Sequence, residues 1–465
     1  MVPLPGGSAL DEERMTVTSR QNGPIYHPPV GPIQGWVDDS VGRATGIVYA
    51  TAERFRAPHA VPDWTDAYAA TTWSPACPQN RSQLIDYMCG GDGLDDLGQD
   101  EHCQRLSITM PVDAQPDERL PVMVWVHGGS YVTGAGDSSL TDPAGLVAEQ
   151  RVVAVAVTYR LGLFGYLGDD DRPANLGLLD QLEAFRWVRR NIAAFSGDPD
   201  NITAFGESAG ADAVVHLMAS ANGEPLFRRA IIQSAPLGIL TGRQRMNAAM
   251  TRGARHLTAD LAAAEILASQ QRLARASARF GLRGGMPFGV QYGRPPLPPE
   301  DQIETALNKA AEIPVLIGTN ADETSFFTST VPPIAALSHW PVGGQALARA
   351  IVRRSTAAVY GAATDQFARR HAQAGGTAHR YHLTWSAAGN RFGSTHGIDV
   401  ALLFGTEEFW GDAAMLVGAS WDEIDEAGSA VRALWADFAR GIALPAHLEI
   451  PGVLTLDRLG PGQGP

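Results

Sequence analysis

Apolar residues along this chain fall into two rhythms. Continuous runs at 121–126 (PVMVWV) and 152–157 (VVAVAV), with shorter ones at 202–205 and 313–317, carry β-branched side chains without a polar alternation. A run with no polar face predicts a strand buried on both sides, as in a parallel sheet covered by helices. Between the second and third runs, residues 175–195 place Leu178, Leu182, Phe185 and Val188 at helical spacing, which predicts an amphipathic crossover helix. Strand, helix, strand in that order predicts the α/β class. Stretches rich in Ala and Arg at about 240–285 and 340–375 have helical periodicity and predict helices appended to the sheet. No repeat and no convincing linker interrupts the pattern. The expected organisation is a loose polar leader at 1–20 and one domain at 21–459, with helical insertions at about 240–300 and 325–390. A disordered tail follows at 460–465.

Composition narrows the classes. The chain has 465 residues, of which 45% are hydrophobic, enough for a large core without a metal or disulfide staple. Its 36 basic residues against 50 acidic ones give a net charge of −14, which argues against a nucleic-acid or anionic-membrane partner. No run of roughly 18 apolar residues is present, so no transmembrane helix is expected. Asp11, Glu12 and Glu13 stand where a signal peptide would need an apolar stretch, which points to the cytoplasm. Cys77, Cys89 and Cys103 have no metal-ligand spacing, so no metal site is expected.

The chemistry begins at Gly206-Glu207-Ser208-Ala209-Gly210, a G-x-S-x-G between the run ITAF and a helical stretch at 211–218. A bare G-x-S-x-G is common, but that context is the one a nucleophile elbow requires: a strained turn lifts the hydroxyl clear of the sheet at the positive end of a helix. A nucleophilic serine also needs donors for the oxyanion. Trp125-Val126-His127-Gly128-Gly129-Ser130-Tyr131 ends a strong strand in H-G-G, as oxyanion loops of lipases and esterases do. A glycine turn alone would be the commoner explanation of either signal. The two together, loop first and elbow later, point to Ser208 as a nucleophile.

Further motifs extend the match. Gly46-Ile-Val-Tyr-Ala50 with Arg54-Phe55, Cys77-Pro-Gln79, Glu101-His-Cys103, and Thr158-Tyr-Arg-Leu-Gly-Leu-Phe-Gly165 occur in order. They are followed by Asn175-Leu-Gly-Leu-Leu-Asp-Gln181, Ser196-Gly-Asp-Pro199 and Phe227-Arg-Arg-Ala-Ile-Ile-Gln-Ser234. In this series the chain resembles the type-B carboxylesterases, the family of cholinesterases and bacterial p-nitrobenzyl esterases. That resemblance implies an α/β-hydrolase fold, a largely parallel central sheet flanked by helices, with insertions roofing the active site.

The resemblance also supplies the remaining site residues. Ile317-Gly-Thr-Asn-Ala-Asp-Glu323 is similar to the segment bearing the family's acid, implying Glu323, with Asp322 as the alternative; Thr324 stands where the family usually has Gly. His396-Gly-Ile-Asp-Val-Ala-Leu-Leu-Phe-Gly405 is similar to the segment bearing its base, implying His396. The oxyanion hole falls to Gly128, Gly129, Ser130 and Ala209. Glu207, Ser234 and Asp399 align with buried polar positions around the base, Arg54 with Glu101 and Arg160 with Asp180 with internal salt bridges, and Cys77 with Cys103 with a disulfide that would suit an oxidising compartment.

The function expected is serine-dependent hydrolysis of carboxylic esters through a Ser-His-Glu triad and an acyl-enzyme, with a small-molecule ester as partner and no cofactor. Amidase, lactonase or lipase activity through the same residues is the alternative within enzymes, and a non-catalytic cholinesterase-like binding module the alternative outside them. The stretch between Cys77 and Cys103 has no Trp, which disfavours choline esters, and the short insertions suggest an open cleft.

Overall fold

The computed structural model describes residues 23–220, 226–340 and 343–460. The predicted leader, and the tail beyond Gly460, lie outside the described residues. Eleven strands form one sheet: β1 (Trp36–Asp38), β2 (Val41–Val48), β3 (Arg105–Pro111), β4 (Leu120–Val126), β5 (Val153–Thr158), β6 (Gly197–Glu207), β7 (Arg229–Gln233), β8 (Val315–Asn320), β9 (Ala378–Leu383), β10 (His447–Ile450) and β11 (Leu454–Leu459). Their spatial order is β10-β11-β9-β8-β7-β6-β4-β5-β3-β2-β1. The six strands from β9 to β5 are mutually parallel. Antiparallel strands continue the sheet at both edges, so it is mixed.

The two rhythms seen in the sequence have their physical origin here. Val153, Val155 and Val157 of β5 pack into the apolar layer on one face, while Ala154 and Ala156 pack into the layer on the other. Side chains alternate across a strand, so burial on both faces demands an unbroken apolar run. One layer is closed by α1 (Leu176–Asn191), whose Leu178, Leu182, Phe185 and Val188 are buried. The opposite layer is closed by the long helix Trp421–Arg440, which contributes Val431 and Trp435.

Both insertions are helical, as their periodicity predicts. The first contains Gln244–Gly253 and Ala263–Ser277, and the second Gly344–Thr356 and Ala362–Gln373. The salt bridges implied by the resemblance are formed: Arg54 Nε donates to Glu101 at 2.6 Å. Arg160 grips buried Asp180 through two hydrogen bonds of 2.8 and 2.7 Å. The resemblance also implies a pairing of Cys77 with Cys103. Both are buried free thiols, as is Cys89. Cys77 and Cys103 lie within hydrogen-bonding contact, so the fold brings the pair together without the covalent bond.

Candidate active site

Parallel strands end on the same side, and loops after β4, β6, β7, β8 and β9 converge there. Register brings the first two together: Gly206 on β6 pairs with Val126 on β4, so the H-G-G turn and the serine leave the sheet side by side. Ser208 has φ 55°, the left-handed region that costs a non-glycine residue about 1–2 kcal/mol. Its N–H donates to Gln233 O at 2.9 Å, which ties the strained turn to β7. The glycine at 210 is a steric requirement, since a Cβ there would lie 1.9 Å from Val126 O. Helix α2 (Ala209–Ser220) starts immediately after the serine and points its positive end at it.

The oxyanion loop is similarly strained. Gly129 has φ 99° and its hypothetical Cβ would meet Thr133 O at 2.2 Å, while Ser130 has φ 54°. Among the described residues no acceptor takes the N–H groups of Gly129, Ser130 or Ala209. Gly128 packs against Glu207 and the Ser208 side chain, where it lets the loop approach the elbow.

On the other side, His396 precedes the helix α3 (Ile398–Phe404). Its Nδ1 meets Glu323 Oε2 at 2.6 Å, with Glu323 wholly buried. Glu323 Oε1 accepts the Asn320 N–H at 2.8 Å. Asn320 donates its side-chain amide to Thr395 O and to Asp399 Oδ1, each at 3.0 Å. Asp399 Oδ2 accepts from Gln233 at 2.8 Å, and Gln233 Oε1 accepts from Trp435 Nε1 at 3.1 Å. Asp399 therefore reaches the base through Asn320 and then Glu323. Asn320 and Gln233 carry no catalytic signature in the sequence; their nearest signal is position, three residues before Glu323 and one before Ser234. Thr324 hydrogen-bonds Val352 O at 3.0 Å, tying the acid's turn to the second insertion. Asp322 instead accepts the Ser394 N–H at 3.2 Å.

Glu207 and Ser234 behave differently. Glu207 Oε1 sits 3.1 Å from His396 Nε2, yet without hydrogen-bond alignment to any group. Ser234 is buried at φ 53°, and no described protein group partners its Oγ. Burial pushes Glu207 up to about 8, with the imidazole pulling the other way. Burial also opposes charge on His396, but Glu207 and Glu323 outweigh it and raise the ring to about 9. The two shifts are linked: a proton on either partner weakens the other's hold on its own. No hydrogen bond joins Ser208 to His396 among the described residues.

Ser208, His396 and residues 128–130 open onto one cavity of about 170 Å³. Its walls include Ile85, Leu140, Phe326, Phe327, Val400 and Trp410. That volume is small beside the roughly 300–1,000 Å³ of sites for drug-sized ligands. Aromatic side chains form part of its wall. Phe326 and Phe327 come from the second insertion, whereas the first contributes no wall residue and packs behind Tyr131 through Gly289. His127, whose ring stacks on Tyr159 at 4.4 Å, is held neutral by burial and is pushed down to about 4.

Residues 23–340 match the model of the carboxylesterase family. The chain is 38% identical over 419 residues to a probable N-octanoylanthranilate hydrolase of Rhodococcus erythropolis, covering 88% of this chain and 91% of that one. It is 35% identical over 316 residues to a para-nitrobenzyl esterase of Bacillus subtilis, covering 64% and 62%. Among solved structures, a thermophilic p-nitrobenzyl esterase superposes with a TM-score of 0.75 at 27% identity, over 93% of this chain and 97% of that one.

Proposed function

This chain belongs to the carboxylesterase family and is a carboxylic ester hydrolase, and from that premise we propose that it works by acyl transfer through Ser208, His396 and Glu323. In this reading His396 Nε2 removes the Ser208 proton as Oγ bonds to the ester carbonyl carbon. The N–H groups of Gly129, Ser130 and Ala209, which have no acceptor among the described residues, receive the oxyanion, each worth about 3 kcal/mol of barrier. The C–O bond to the alcohol then breaks, and His396 returns the proton to the leaving oxygen. Water, activated by the same ring, cleaves the acyl-enzyme. Glu323 holds the imidazole in the tautomer that leaves Nε2 free to accept.

One observation carries the proposal: Nδ1 of His396 is taken by buried Glu323 at 2.6 Å while its other face opens onto the cavity that holds Ser208. The missing Ser208–His396 hydrogen bond is no obstacle, because such bonds are often long before substrate arrives. The cavity lining is largely apolar, and its carboxylates are Asp92 and Glu207, with no Arg or Lys among its wall residues. This favours neutral esters with an apolar acyl group.

The test is Ser208→Ala with a p-nitrophenyl ester, together with fluorophosphonate labelling of the wild type. Turnover should fall by about 10⁶-fold, and the label should map to Ser208. Wild-type turnover by the variant would exclude the mechanism. A second reading, cleavage of an N-acyl amide by the same residues, is favoured by the likeness to the N-octanoylanthranilate hydrolase. Comparing p-nitrophenyl octanoate with N-octanoyl-p-nitroaniline discriminates the two.

A further inference from the structure

Behind the oxyanion loop lies a second buried polar cluster that ester hydrolysis as described does not use. Tyr131, the residue after Ser130, is wholly buried and has φ 60°, so two consecutive non-glycine residues of the loop sit in the left-handed region. The loop must be held there by contacts strong enough to offset its own preference. Tyr131 supplies three. Its carbonyl accepts the Gly162 N–H at 2.6 Å, and its ring packs on Tyr166 at 4.3 Å between centroids. Its hydroxyl donates to Asp212 Oδ2 at 2.6 Å.

Asp212 stands in the first turn of α2, and its own N–H donates to Ser208 O at 3.0 Å. It is wholly buried, and a carboxylate in that position needs a countercharge. Two cation-forming groups lie near it: His216, one turn along the same helix, hydrogen-bonds the Asp212 carbonyl oxygen through Nδ1 at 2.8 Å and stands 3.0 Å from Oδ1, and buried Arg243 acts on the same carboxylate. Nε2 of His216 meets the Tyr292 hydroxyl at 2.9 Å. Tyr292 belongs to the first insertion, whose 286–288 carbonyls are gripped by buried Arg243.

We propose that Asp212 is a positioning residue of the oxyanion hole: its side chain holds the loop through Tyr131 while its backbone holds the turn that carries Ser208. One residue thereby fixes the separation of the N–H donors from the attacking oxygen. Such preorganisation lowers the transition state and leaves ground-state binding alone.

The inference rests on the reading of Ser208 as nucleophile, and the experiment separates the two. Tyr131→Phe removes a single oxygen. With p-nitrophenyl butyrate its kcat should fall about tenfold to a hundredfold while KM changes by less than about twofold. Affinity for an alkyl trifluoromethyl ketone, which places an oxyanion in the same hole, should fall by the same factor as kcat. Loss of packing alone would lower the melting temperature and leave kcat and the ketone affinity within about twofold of wild type. In an Asp212→Asn background the further change Tyr131→Phe should cost less than about twofold, because the two groups act as one contact. A Tyr131→Phe enzyme with kcat and trifluoromethyl ketone affinity within about twofold of wild type overturns the proposal, and so does full additivity with Asp212→Asn. Should Asp212→Asn fail to fold, Tyr131→Phe decides alone. Failure of a fluorophosphonate to label Ser208 in the wild type would instead remove the underlying reading.

Discussion

Two buried histidine–carboxylate pairs lie on either side of Ser208, and they differ in one respect. His396 meets Glu323 at 2.6 Å and His216 meets Asp212 at 3.0 Å, all four residues being nearly inaccessible. In each pair, burial works against the charged ring and neighbouring carboxylate charge overcomes it. Yet both ring nitrogens of His216 are engaged, Nδ1 by the Asp212 carbonyl oxygen at 2.8 Å and Nε2 by the Tyr292 hydroxyl. His396 has Nδ1 engaged, while Nε2 looks into the cavity beside an unaligned Glu207. A carboxylate beside an imidazole is thus no mark of a base by itself. What the second nitrogen faces separates a proton acceptor from a strut.

That contrast can be broken most directly by deleting each ring. His396→Ala should lower kcat with a p-nitrophenyl ester by about 10⁶-fold. Equal losses from His216→Gln would erase the distinction drawn here. Glu323→Gln should follow at about 10⁴-fold, because the amide keeps the shape but favours the wrong imidazole tautomer. His216→Gln should instead show itself in urea unfolding, with about 1–3 kcal/mol lost as buried Asp212 keeps the Tyr131 hydroxyl but loses the ring beside it.

The smallest effect is the most specific to the His396 side. An ionised Glu207 favours the protonated ring, so the active neutral base appears only as pH rises through a raised value. Removing that charge by Glu207→Gln should lower the ring's value and carry the acid limb of kcat/KM to lower pH, by about one unit. A limb that stays in place or moves up would show that Glu207 does not act on the base. Tyr131→Phe should leave this limb unmoved.

The sequence disclosed elements whose determinants are local. An apolar run with no polar face requires burial on both sides, and β4 and β5 fall within a residue of the predicted strands. Gly210 is legible because only glycine fits beneath Val126 O, so steric necessity writes the elbow into the chain. The antiparallel edges were less legible. β10 and β11 are short and half-exposed, and β1 has three residues, so they leave little periodic signal.

The sequence by itself determined the α/β class, the strained serine turn and, through motif resemblance, the segments bearing Glu323 and His396. These depend on residue type at short spacing, which the chain carries directly. Only the tertiary structure decided that Asn320 links Asp399 to Glu323, that Gln233 holds Asp399 from its other oxygen, and that Cys77 and Cys103 come into contact. It alone decided that aromatic side chains line the cavity and that Tyr131 and Asp212 join loop to helix. Those contacts pair residues tens to hundreds of positions apart. Which atoms meet there depends on sheet register and helix packing, which no local pattern encodes.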